Sequence, residues 1–123
     1  MNTSTRDRPH CGDTWMCNLS NKDGSVQRGY RPVLIISNDL NNEHALTMNV
    51  IPITSSRKKY LPVHVNIIDY YKCGLNRPSR LLVEQTTTVS ADKLINYVGH
   101  ISNPTLIESI SKAFTIQFPI LRD

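Results

Sequence analysis

The apolar residues of this chain come in short runs broken by turn formers, and that spacing narrows the possible folds more than any other feature. "PVLIISN" at 32–38, "TMNVIPIT" at 47–54, "LPVHVNI" at 61–67 and "RLLVEQTTTV" at 80–89 follow one another at close intervals. Runs of this length suit strands rather than helices, so the pattern predicts a small antiparallel β domain. The length of 123 residues allows one such domain and a real core. A polar tail over residues 1–10 is expected to be flexible, with the folded domain spanning 11–123.

The first strand is expected over Asp13–Leu19, where Trp15, Cys17 and Leu19 alternate with Thr14, Met16 and Asn18. The polar stretch Ser20–Arg31, with Asn21, Asp23, Gly24 and Gly29, reads as a long mobile loop, and a loop of that length in so small a domain is usually functional. Pro32 then opens a strand whose continuous Val-Leu-Ile-Ile suits burial on both faces. Thr47–Thr54 is the third strand, with Pro52 implying an edge or a bulge. In the fourth, Leu61, Val63, Val65 and Ile67 face the core, which puts His64 on the other face as a solvated strand residue.

Arg80–Val89 is expected to be a single central strand carrying Glu84 and Gln85 in its middle, where two polar groups must be hydrogen-bonded or face a site. Ser90 caps one helical turn over "ADKLI", and "NYVGHI" returns as the last strand. Asn103 and Pro104 start a C-terminal helix with an apolar stripe of Leu106, Ile107, Ile110, Ala113, Phe114 and Phe118, and Pro119 ends it.

Charge is compatible with a polyanionic partner such as nucleic acid, although a basic surface is also common on proteins that bind none. The chain carries a net +4, yet Arg57–Arg80 alone holds six basic residues (Arg57, Lys58, Lys59, Lys72, Arg77 and Arg80) against one acid, Asp69. Three cysteines without a C-x-x-C pair and four scattered histidines do not make a zinc pattern, and the acids are not clustered as in a divalent-metal nuclease. No metal and no cofactor are therefore expected. The longest aliphatic run, Val33–Ile36, is far below the ~18 residues of a membrane span, and the polar N-terminus is unlike a signal peptide, so a cytoplasmic location is expected.

Polar residues gather at strand and loop boundaries in three groups: Gln27, Arg28 and Arg31; Thr54 and Ser55; Glu84 and Gln85. Together with "GDTW" at 12–15, "GSVQRGYRPVLIISNDL" at 24–40, "VIPITS" at 50–55, "LPVHV" at 61–65, "GLNRPSRLLVEQTTTV" at 74–89 and "AFTIQF" at 113–118, they give the chain a resemblance to the MazF/PemK family of toxin endoribonucleases. The pieces occur in order from about residue 11 onward without a large insertion.

The resemblance implies a mainly β fold, a small, partly open SH3-like barrel of the MazF/CcdB type with a C-terminal helix, assembled as a homodimer. It implies cleavage of single-stranded RNA, mostly messenger RNA, at short motifs, without a metal, and restraint by a MazE-like antitoxin. Arg31 matches the arginine of the family's "RP" pair and Thr54 the threonine of its "PIT" motif, the two catalytic positions. Gln85 matches a glutamine that contacts RNA, with Gln27, Arg28, Ser55 and the basic Arg57 beside the site. Two positions depart from the family pattern: Val26 stands where a glutamate is common, and Asn18 where many relatives carry aspartate. Two other readings stay open, a CcdB-like toxin that binds gyrase and cuts nothing, and a degenerate member that only binds RNA or an antitoxin.

Overall fold

A computed structural model describes residues 7–19, 29–56 and 60–122. Gln27, Arg28, Arg57 and Val26, like most of the expected mobile loop, lie outside these residues. Among the described residues, seven strands form one antiparallel sheet: β1 (Asp13–Asn18), β2 (Tyr30–Ile35), β3 (Thr47–Thr54), β4 (His64–Ile67), β5 (Ser79–Leu82), β6 (Thr87–Ser90) and β7 (Leu94–His100). They lie in the order β4-β5-β3-β2-β1-β7, and β6 pairs with the first half of β3. Among the described residues the sheet does not close, since β4 and β7 end the path, so the architecture is an open, barrel-like sheet. Ordered packing begins before residue 11, with Pro9 buried and the His10 backbone N–H donating to Asp13 Oδ2 at 2.8 Å.

The sheet is covered on both faces, and β2 shows why. Val33 and Ile35 join Trp15, Cys17, Leu19, Val50 and Val89 in one cluster. Leu34, between them, points into the other, with Ile51, Ile53, Val65, Ile67 and Leu81. A continuous apolar run thus serves two cores at once. The second core is closed by helix α2 (Pro104–Gln117), whose Asn103 cap accepts from the backbone N–H groups of Thr105 (2.9 Å) and Leu106 (3.4 Å). Leu106 and Ala113 are buried there, and Ile110 and Phe114 pack against them. Ile107 and Phe118, on the flank of the stripe, stay 49% and 40% exposed, so the helix buries a narrower face than its pattern suggests.

Several expectations are revised. Tyr30 and Arg31 belong to β2, not to the preceding loop, because both pair with β1 opposite Asn18 and Cys17. Pro52 lies in a central strand, opposite Val33. It is tolerated because on its other side β3 changes partner there, from β6 up to Val50 to β5 from Ile53 onward. That interruption comes from the expected single strand 80–89, which is really two. A 3₁₀ turn at Val83–Gln85 separates β5 from β6, so Glu84 and Gln85 are in a turn rather than mid-strand. The short turn Ala91–Lys93 does follow Ser90, though without a side-chain cap bond. A helix not anticipated, α1 (Asp39–His44), is capped by Asn38, whose side chain accepts from Asn41 N at 2.8 Å.

A close backbone contact holds the loop that leads into β5. The 3₁₀ turn Tyr70–Cys73 ends at Gly74 with φ +82°, and a Cβ there would strike the Val98 carbonyl. Across the same contact, a Cβ on Gly99 would strike the Cys73 carbonyl, which also accepts from Thr14 Oγ1 at 2.9 Å. Gly74→Ala combines a left-handed backbone with a clash against main chain. It is expected to cost about 3 kcal/mol, a fall in Tm of about 10 °C by thermal melting.

Candidate active site

Strand register builds the site. On one face Val65, Leu81 and Ile53 are mutual neighbours across β4, β5 and β3, and all belong to the core. One residue along, the neighbours are Asn66, Arg80 and Thr54, and alternation sends these to the opposite face. Carrying the β2–β3 register two residues past the Val33/Pro52 pair sets Arg31 level with Thr54 on its other side. A polar row thus crosses the end of four adjacent strands.

Two hollows meet at this end of the sheet. One, of about 380 Å³, is lined by Thr54, Ser55, Asn66, Arg77 and Arg80 among others. The second, of about 420 Å³, is bordered by Arg31, Ser55, Asn76 and Arg77 with apolar walls from Ile53 and Val98. Ser55, Arg77 and Ser79 are common to both. Among the described residues, three arginines and no carboxylate line this double hollow, which suits a polyanion. Arg31 is exposed at the root of β2, where a phosphate can reach it, while Thr54 is buried in the floor. The Thr54 oxygen accepts from the Ser56 N–H at 3.1 Å, a local turn that fixes the hydroxyl. Its own proton can then be donated outward.

The structure therefore brings together Arg31, Thr54 and Ser55. Gln85, half-buried in the 3₁₀ turn, borders neither hollow. Sequence reasoning assigned no individual role to Arg77, Arg80, Asn66 or Asn76. Period-two alternation would have found Arg80 and Asn66, since each sits one residue from a core position of its strand.

His64 corrects the picture of a solvated strand residue, being only 6% exposed. Its Nδ1 accepts from the Leu61 N–H at 3.1 Å, which leaves the proton on Nε2, facing Glu84 Oε2 at 2.9 Å. Glu84 Oε1 is buried and has no hydrogen-bond partner among the described residues. The Tyr60 hydroxyl donates to the His64 carbonyl at 3.1 Å, and its ring stands edge-on to the imidazole. The Arg80 guanidinium lies over that ring, 5.5 Å from its centroid.

Cysteine chemistry does not fit the site. Burial pushes the thiols of Cys11 and Cys73 above their ordinary range, with Asp39 and Asp13 adding to the effect on Cys11 and Asp69 on Cys73. Raised in this way, both stay protonated and weakly nucleophilic at neutral pH. Among the described residues no three His, Cys, Asp or Glu side chains are grouped to hold a metal ion, and no helix is long and apolar enough to cross a membrane.

An open β sheet covered by the C-terminal helix, with an arginine-rich cleft at the strand ends, defines a small domain of the toxin-like β class whose cleft has the charge to suit a polyanion. Residues 10–118 match the family model of the PemK-like, MazF-like toxin of type II toxin-antitoxin systems. The chain is 34% identical over 111 residues to the endoribonuclease EndoA of Bacillus subtilis, covering 89% of this chain and 94% of that protein. It is 37% identical over 98 residues to the endoribonuclease MazF of Staphylococcus epidermidis, covering 79% and 81%. Among solved structures, MazF from Deinococcus radiodurans superposes with a TM-score of 0.76 at 18% identity, over 93% of this chain and 99% of that one. A mycobacterial endoribonuclease in complex with its cognate antitoxin gives 0.71 at 21%, over 94% and 99%. The chain belongs to the PemK/MazF family of type II toxin endoribonucleases.

Proposed function

We propose that the protein cleaves single-stranded RNA, chiefly messenger RNA, at a short sequence motif and without a metal ion. The 2′-hydroxyl at the cut attacks the adjacent phosphorus, losing its proton as the new P–O bond forms. The bond to the 5′-oxygen of the next nucleotide breaks, and that oxygen takes up a proton. The products are a 2′,3′-cyclic phosphate and a 5′-hydroxyl. The observation that carries this reading is the arginine-lined double hollow at the strand ends, with Arg31 bordering one half and Thr54 lining the other.

Negative charge grows on the phosphoryl oxygens in the transition state, so fixed cations aimed there contribute most. Arg31 offers a planar fork that stays charged at every relevant pH. The Thr54 hydroxyl, held by Ser56, donates to the phosphate or places the 2′-hydroxyl. Ser55 and Gln85 take RNA contacts, Gln85 by pairing with a base edge, and Gln27, Arg28 and Arg57 extend the surface. The protein acts in the cytoplasm as a homodimer, and an acidic segment of a cognate antitoxin covers the cleft by imitating the charge of RNA. Support for such a partner comes from the relatives, among them the mycobacterial toxin solved with its antitoxin.

The test is to digest a long RNA in the presence of EDTA and determine both ends of every product. Cyclic phosphates and 5′-hydroxyls at one recurring motif are expected. Loss of cutting on chelation, or 5′-phosphate ends, would refute the mechanism. Intact RNA together with gyrase inhibition would favour the CcdB-like alternative.

A further inference from the structure

We propose that the hollow containing Arg80 is a second nucleotide subsite, in which Arg80 grips the phosphate next to the scissile one and Tyr60 positions Arg80. The proposal rests on the reading of this site as an RNA-cleaving one. Neither Arg80 nor Tyr60 belongs to the motifs that assign Arg31 and Thr54.

Three observations converge. First, Arg80 is the direct neighbour of Thr54 across β3 and β5 and of Asn66 across β5 and β4, all on the polar face. With the β2–β3 register extended two residues beyond Val33/Pro52, Arg31 and Arg80 fall on either side of Thr54, their strands about 10 Å apart, so that two long side chains can address successive phosphates of one strand. Second, the Arg80 side of the cleft has its own volume, about 380 Å³, with the amide of Asn66 and the hydroxyls of Ser56 and Ser79 on its walls. Those groups can meet a sugar or a base edge, whereas the guanidinium suits a phosphate.

Third, Arg80 is pre-positioned from behind. Its guanidinium lies 5.5 Å from the Tyr60 ring centroid, within cation–π range. The Tyr60 ring is itself fixed by its hydroxyl bond to the His64 carbonyl and by edge contact with an imidazole clamped between Leu61 and Glu84. A cation held on one side and bordering the hollow on the other loses little freedom when RNA arrives. A surface arginine without such support would add charge but little geometry.

Arg80→Gln is expected to raise KM for a short RNA about tenfold, with a far smaller effect on kcat, because the lost contact is with a phosphate that does not react. Binding of mixed-sequence single-stranded RNA should lose about 0.7 from its slope of log affinity against log salt. Arg80→Lys should recover part of the KM. Tyr60→Leu should raise KM about threefold, yet add nothing in an Arg80→Gln background, as expected of a residue that acts only through Arg80.

An uncharged methylphosphonate is then placed in turn at each linkage beside the mapped cut. At one position it should weaken the wild type about tenfold and leave Arg80→Gln unaffected. This substrate test on the wild type stands even where a variant folds poorly, since no sensitive flanking linkage would overturn the proposal. An unchanged KM and salt slope in Arg80→Gln would also overturn it. A wild type that binds RNA with the Arg80-dependent slope but never cuts would refute the cleavage reading instead and leave Arg80 as a phosphate contact of an RNA-binding site.

Discussion

An RNA carrying one 2′-deoxy sugar on the 5′ side of the cut is expected to survive at that linkage, while its all-ribose counterpart is cleaved. The arginines and Thr54 can stabilise a crowded phosphoryl group, but they supply no nucleophile of their own. Among the groups near the cleft, the Thr54 hydroxyl sits in the floor with its oxygen committed to Ser56. Cys73, the cysteine nearest in sequence to the cleft residues Gly74–Arg77, has its thiol raised and buried. In the proposed mechanism the attacking oxygen comes from the substrate, so removing it removes the reaction. Binding of the altered RNA should change little, because the phosphate charges that dominate affinity are intact. A rate unchanged by the substitution would instead require an activated water or a cleft hydroxyl such as that of Ser55 as nucleophile, and neither Arg31 nor Thr54 is a competent base for either.

The placement of Arg31 and Thr54 in the fold was legible because both obey local rules. Pro32 marks the start of an apolar run and so places Arg31 at its root; the "PIT" segment reads as strand, and its threonine falls at the strand end. The helix at Pro104–Gln117 was equally plain, having a cap, a proline and a stripe at helical spacing. Helix α1 was not, because "DLNNEH" has no apolar face and buries only Asn42, which bonds to Ser37 instead of packing. Only the Asn38 cap signalled it.

The split of residues 80–89 was hidden for a different reason. "RLLVEQTTTV" has strand propensity throughout, and nothing local marks the turn at Val83–Gln85. The break is tertiary: Val83 is buried in the core beside Ile53 and Leu81, while Glu84 turns to meet His64 from another strand. The same partnership explains why His64 looked solvated. Alternation correctly put it opposite the Val65 core, but its polar face is also buried, by a tyrosine and a carboxylate distant in sequence. Long-range polar pairs of this kind leave no periodic trace.

Arg31→Ala is expected to lower kcat by about 10³-fold while moving Tm by no more than a degree or two. The size follows from losing a charged bidentate donor at the phosphoryl oxygens, for which comparable deletions cost 10²-fold to 10³-fold or more. The small change in stability follows from exposure: Arg31 lies on the surface end of β2, where the backbone pairing with Cys17 survives truncation and the core begins only at Val33. Arg31→Lys should recover part of the loss, since it restores the charge but not the planar fork. RNA affinity should fall far less than kcat, because Arg77 and Arg80 continue to line the cleft. Measured together, single-turnover rate, RNA affinity and Tm separate the alternatives. A rate loss matched by an equal loss of binding would make Arg31 an anchor for RNA, and a large drop in Tm would make it part of the scaffold. Only a rate that collapses while affinity and Tm hold assigns it to the transition state.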